Sequence, residues 1–123
     1  PFVYISSEYA SSPVNNYSIS KYIGELLVKD IVPSYLIIRT LFKPNPWPWD
    51  NAFIDSWTQG DYIDVIAPLV AKEIKGWNKR DSKFVYVGTG RKTMYELAKQ
   101  TKPDVVGNSI HNIREVKIPS DYL

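Results

Sequence analysis

Tyr17 and Lys21, four residues apart, carry the clearest chemistry in the sequence. On a helix that spacing puts both side chains on one face. A phenol titrates near pH ~10 and is a poor acid–base catalyst at neutrality. An ammonium beside it favours the phenolate and lowers that value. The pair therefore has the makings of a proton donor for a carbonyl oxygen, and Ser7 stands where a hydroxyl could hydrogen-bond the same oxygen. Spacing alone does not single the pair out, because Tyr95 and Lys99 repeat it. Context separates the two. Tyr17 opens a helix after an apolar run ending Ser6-Ser7, and a second apolar run follows. Tyr95 falls inside a helix preceded only by Gly88-Thr89-Gly90, and is read as a packing residue.

The elements that must hold Tyr17 and Lys21 follow from periodicity. Phe2 to Ile5 is a short continuous apolar run, which suits a strand buried on both faces, as in parallel sheets. Ser11 to Asn16 is a loop by composition. Ile19, Tyr22, Ile23, Leu26, Leu27 and Ile31 recur every three or four residues, predicting an amphipathic helix from about Tyr17 to Ile31, closed by Pro33. Tyr35 to Ile38 is a second buried-type strand ending in Arg39-Thr40. Strand, helix and strand in this order predict a right-handed βαβ unit with parallel strands. A site at the carboxyl ends of such strands is where open α/β sheets bind ligands.

Further along, Lys43 to Asp50 carries three prolines, which remove donors and fix φ, predicting an extended surface loop with two tryptophans. Ile63 to Ile74 reads as a helix with Asp61 or Asp64 near its start and Gly76 past its end; Pro68 inside it predicts a kink or a late start. Phe84 to Val87 is a third strand. Thr93 to Lys99 is a third helix with capping-box spacing between Thr93 and Glu96. Beyond Pro103 the pattern weakens to irregular and short extended pieces.

At 123 residues the chain is one domain. A net charge of +2, with basic residues scattered, gives no reason to expect a nucleic-acid partner. No apolar stretch of membrane-spanning length occurs. With no cysteine and one histidine, His111, there is no material for disulfides, thiolate metal sites or a Ser-His-Asp triad, and no metal is expected. Gly88-Thr89-Gly90-Arg91-Lys92-Thr93 departs from both the dinucleotide and the P-loop fingerprints. Trp47, Trp49, Trp57 and Trp77 suit either packing or a sugar face, with packing preferred.

Several weak motifs in order carry a resemblance: Val3-Tyr4-Ile5-Ser6-Ser7-Glu8-Tyr9, then Tyr17-Ser18-Ile19-Ser20-Lys21, Gly24-Glu25 and Ile37-Ile38-Arg39-Thr40. The chain resembles extended short-chain dehydrogenases/reductases, and most closely their dTDP-4-dehydrorhamnose reductase (RmlD-like) branch. Gly60 to Ala67 and Tyr95 to Ala98 resemble that branch's C-terminal part. The resemblance implies an α/β, Rossmann-like parallel sheet with flanking helices, present here as the C-terminal portion. It implies a single partial domain over 1–123, with a catalytic βαβ segment at 1–42 and a substrate-side segment at 43–123.

By position, the resemblance implies Tyr17 as proton donor, Lys21 as partner to the nicotinamide ribose and Ser7 as a hydrogen-bonding partner of the keto oxygen. It implies Arg39 and Thr40 with Tyr17 and Lys21 on the cofactor side, and Ser7, Glu8, Tyr9 and Phe42 beside the substrate. The expected cofactor is NAD or NADP, the substrate a nucleotide-linked keto-sugar, the location cytoplasmic away from membranes, with a homodimer left open. Alternatives are an epimerase or dehydratase on a nucleotide sugar, or a non-catalytic regulatory subunit with this fold. Three departures are expected to matter: no N-terminal Gly-rich turn, a short interval between Ser7 and Tyr17, and an abrupt end at Tyr122-Leu123.

Overall fold

The structure, a computed structural model, describes residues 1–112; the expectation about Tyr122-Leu123 lies outside them. Strand β1 (Phe2–Ser7) leads through a 3-10 turn (Glu8–Ser11) into helix α1 (Asn16–Ile31) and strand β2 (Tyr35–Thr40). β1 pairs with β2 in parallel, with Phe2 opposite Tyr35 and Ser7 opposite Thr40. The short strands β3 (Phe42–Lys43), β4 (Asn51–Phe53), β5 (Trp57–Thr58) and β6 (Asp61–Tyr62) follow, then helix α2 (Ile63–Gly76) and strand β7 (Lys83–Tyr86). β7 joins the other edge of β2, again in parallel, giving the order β1-β2-β7. Strand β8 (Lys92–Thr93), helix α3 (Met94–Lys99), strand β9 (Val106–Asn108) and a 3-10 turn (Ile110–Asn112) complete the described chain. It is a mixed α/β structure of small, mostly parallel sheets and, among the described residues, three helices.

Alternation along the central strand decides what each helix covers. Leu36 and Ile38 are fully buried and pack in one cluster with Trp77, Val3, Ile5 and the α2 residues Leu69, Val70 and Ile74. Ile37, equally buried, belongs to the other face with Tyr4, Ser6 and Arg39, under α1. A strand buried on both faces is what a continuous apolar run anticipates.

Helix α1 starts through a capping box that the sequence reading did not include. Asn15 Oδ1 accepts from the Ser18 N–H at 2.9 Å, and Ser18 Oγ accepts from Asn15 N–H at 3.0 Å. The face that packs is the unexpected one. Ser18, Glu25 and Val28 are its buried residues, while Ile19, Tyr22, Ile23, Leu26, Leu27 and Ile31 of the apolar stripe are all exposed. Periodicity located the helix but not its buried side.

Two other local expectations are revised. The proline-rich stretch is not simply a surface loop: Trp47 is 2% exposed, with its N–H donating to Thr101 Oγ1 and its indole to the Asn51 carbonyl. A buried aromatic whose donors are both satisfied overrides the loop-like composition around it. Helix α2 begins at Ile63, ahead of Pro68, so no late start is seen. Its N-cap is Tyr62 with no side-chain bond, and Asp61 instead accepts from the Tyr62 N–H and the Thr89 hydroxyl. Beyond Pro103 the described residues include the short extended piece that was expected, Val106–Asn108, which pairs in parallel with Asn51–Phe53. Around these lies a second core of Leu41, Trp47, Phe53, Tyr62, Met94, Leu97 and Val105. Thr93 caps α3 by accepting from the Glu96 N–H at 3.0 Å. No helix among the described residues is long and apolar enough to cross a membrane.

Candidate active site

Tyr17 is the second residue of α1 and lies between the two members of the capping box, Asn15 and Ser18, so the cap sets where its ring lies. The ring meets that of Tyr9 edge-on, centroids 6.5 Å apart. One turn later the Lys21 ammonium donates to the carbonyl oxygen of Ile5 at 3.0 Å and sits 5.2 Å from the centre of the Tyr4 ring. The helix comes this close to β1 because residue 24 is glycine: a Cβ there would lie 2.1 Å from the Tyr4 hydroxyl oxygen. Burial pushes the Tyr4 phenol up, and the charges of Glu25 and Tyr17 add to that.

Ser7 ends β1 and is almost fully buried; its Oγ accepts from the Tyr9 N–H at 3.1 Å, capping the 3-10 turn. Among the described residues its own hydroxyl proton has no acceptor, which leaves it for a ligand oxygen. Tyr17, Lys21, Ser7, Tyr9, Thr40 and Phe42 all line one cleft of about 280 Å³ at the carboxyl ends of β1 and β2. Residues far apart in sequence thus meet at the place where parallel sheets bind ligands. The lining also includes Lys43, 3% exposed, and no carboxylate, so the cleft favours electron-rich ligand groups.

Glu8 and Arg39 are placed elsewhere, in the wall of a neighbouring cleft of about 470 Å³ that also includes Tyr9. Arg39 donates through Nε and Nη2 to both oxygens of Glu25, at 2.9 and 2.8 Å, and through Nη1 to Tyr86 at 2.6 Å. Its guanidinium also lies 4.7 Å from the centre of the Phe84 ring. Ser6 adds a third bond to the Glu25 carboxylate at 2.5 Å. Burial alone would raise the Glu25 carboxyl, but the hydrogen bonds from Arg39 and Ser6 outweigh it and hold the group below the usual range. Arg39 is raised in turn, chiefly by its bond to Glu25. Thr40 lines the smaller cleft, but its hydroxyl donates to the Val87 carbonyl at 2.8 Å.

Tyr95 is half-buried against the C-terminal core, and Lys99 donates to the Pro103 carbonyl. Trp47 and Trp77 pack inside, Trp49 is half-buried against Trp47, and Trp57 alone of the four is widely exposed, at 52%. His111 is exposed in the last 3-10 turn, and no group of His, Asp or Glu able to hold a metal occurs among the described residues. Sequence reasoning missed Tyr4, Gly24 as a contact, and Lys43. Tyr4 and Gly24 left a signal only as members of motifs carrying the resemblance, and Lys43 left none. Compared with protein-family models, curated proteins and solved structures, the chain matches none.

Proposed function

We propose that this chain carries the reacting residues of an NAD(P)-dependent reductase acting on a nucleotide-linked 4-keto-6-deoxy sugar in the cytoplasm. The observation that supports it most is the convergence of Tyr17, Lys21 and Ser7 on one cleft at the carboxyl ends of two parallel strands. A three-stranded parallel sheet with α1 on one face and α2 on the other supports reading the fold as part of a Rossmann-like domain.

In this reading the substrate ketone lies with its oxygen between the Tyr17 phenol and the Ser7 hydroxyl. Bound nicotinamide supplies the hydride to the carbonyl carbon. Tyr17 gives its proton to the oxygen, so the carbonyl becomes an alcohol as the dinucleotide is oxidised. Lys21 spends one of its three donors on the Ile5 carbonyl, leaving two for ribose hydroxyls. The lining of ammonium and hydroxyl groups without a carboxylate fits that role. Ser7 holds the keto oxygen and is itself oriented by the Tyr9 N–H.

Tyr17→Phe in the full-length protein is the direct test. Reduction of a dTDP-linked 4-keto sugar, followed as loss of NAD(P)H absorbance, should fall by at least a thousandfold while cofactor affinity stays within about threefold. Retained turnover would sink the assignment. Net consumption of NAD(P)H separates a reductase from an epimerase, which would return its cofactor unchanged.

A further inference from the structure

Tyr4 has no part in the reaction described above, and it is not in the lining of the smaller cleft. It touches Lys21 at both ends all the same. Its hydroxyl donates to the Lys21 main-chain carbonyl at 3.5 Å, and the centre of its ring lies 5.2 Å from the Lys21 ammonium. Room for the ring comes from the same face of the helix. Gly24 follows Lys21 by three residues, so the two are neighbours on α1. A Cβ on residue 24 would fall 2.6 Å from the ring carbon that bears the hydroxyl. The phenol fills the space of the side chain that Gly24 lacks.

A lysine ammonium is a compact charge on a flexible stem, and fixing it costs side-chain entropy. The Ile5 carbonyl, at 3.0 Å, accepts from one of its three N–H donors. One hydrogen bond leaves the ammonium free to swing about that contact. A ring face within about 6 Å of a cation attracts it, more strongly where water is partly excluded. Tyr4 is half-buried, and burial pushes its phenol up, so the ring stays neutral at physiological pH. Of its two contacts the ring is the stronger, because 3.5 Å is at the limit for a hydrogen bond. The second Tyr-Lys pair shows what is particular here. Lys99 lies 5.7 Å from the centre of the Tyr95 ring and donates to the Pro103 carbonyl at 3.0 Å, yet it lines neither cleft. A ring and a carbonyl together hold an ammonium still, and at Lys21 they hold it facing a cavity.

We propose that Tyr4 is the positioning residue for Lys21: its ring face and the Ile5 carbonyl together hold the ammonium in the cleft wall, leaving two donors for the ribose hydroxyls of a dinucleotide. This rests on the reductase reading of the smaller cleft. Tyr4 acts only through Lys21, since Lys21 is in the cleft lining and Tyr4 is not. An ammonium already fixed in place loses less freedom when the dinucleotide binds, so the ring raises affinity without touching the ligand.

The test is calorimetric titration of NADH and NADPH into the full-length protein and its variants. The ε-methylene resonance of Lys21, identified by its absence in Lys21→Met, is read alongside by NMR. Tyr4→Phe keeps the ring and should hold the better-bound dinucleotide within about twofold of wild type. Tyr4→Leu has no ring face and should weaken it about three- to thirtyfold, the span of a single cation–π contact. In a Lys21→Met background Tyr4→Leu should cost nothing further, because the ammonium it serves is gone; a general loosening of the fold would cost as much there as in the wild type. The Lys21 resonance should lie upfield in wild type and Tyr4→Phe, where a ring is beneath it, and move downfield in Tyr4→Leu. Wild-type affinity in Tyr4→Leu, an equal loss in the Lys21→Met background, or a Lys21 resonance that Tyr4→Leu leaves in place would each overturn the inference. A protein that binds dinucleotide through Tyr4 and Lys21 but reduces no keto-sugar refutes the proposed reaction and leaves this inference standing. A protein that binds neither dinucleotide refutes the reductase reading, and the resonance then decides whether Tyr4 places Lys21.

Discussion

Lys21 donates to the carbonyl of Ile5, and one helical turn later Glu25 accepts from the hydroxyl of the next residue, Ser6. Two side chains at i and i+4 on α1 thus grip two consecutive residues of β1, fixing the helix in height and rotation against the sheet. The ammonium proposed to bind cofactor is therefore held by the same contact zone that holds the fold.

Glu25 is the costliest member of that zone to change. It is 1% exposed and bonded to Arg39 and Ser6. Glu25→Gln leaves Arg39 without its counter-charge, and loss of one partner of a buried pair costs about 3–5 kcal/mol. Chemical denaturation should show a loss of that order. Glu25→Gln with Arg39→Met should recover part of it, because no charge is then left unpaired.

The same carboxylate sets an acid limit on stability. Its folded value is lowered relative to the unfolded one, so the stabilisation is fully present above the unfolded value of about 4.3 and is lost as pH falls through the lowered folded value. Unfolding free energy measured from pH 6 downward should decline across that interval in the wild type. The decline should be shallower in Glu25→Gln, which has no proton to take up there.

Gly24→Ala sets two effects against each other. Alanine favours a helix interior by about 1 kcal/mol over glycine. Against this, the new methyl would fall 2.1 Å from the Tyr4 hydroxyl oxygen and 2.6 Å from its ring carbon, so the ring or the helix must move. The clash should win, lowering the melting temperature and raising KM for the proposed cofactor NAD(P)H, because the Lys21 ammonium lies beside the Tyr4 ring. Adding Tyr4→Leu should restore stability, since it removes the obstructing hydroxyl.

Asn15→Ala removes one half of the cap that places Tyr17 and should cost about 1 kcal/mol. Ser18→Ala should cost more. Ser18 is 1% exposed, and its oxygen accepts from the N–H groups of both Val14 and Asn15. Thermal melts should give that order, and kcat for the proposed keto-sugar reduction should fall more in Ser18→Ala than in Asn15→Ala.

Local sequence determined the elements. Continuous apolar runs marked β1 and β2, the three- and four-residue period marked α1, and Thr93 with Glu96 marked the start of α3, because each is a property of neighbouring residues and backbone geometry. Tyr17, Lys21 and Ser7 were legible as a constellation for the same reason: helix spacing and strand order already bring them together. Only the tertiary structure decided which side of α1 packs. There the apolar stripe stays outside, and Ser18, Lys21 and Glu25 face the sheet, because Arg39, Ser6 and the Ile5 carbonyl offer polar partners that no periodicity reports. It also decided that Arg39 is tied to Glu25 and that Trp47 is core. Those outcomes depend on which distant groups reach one another, and residue type alone does not carry that information.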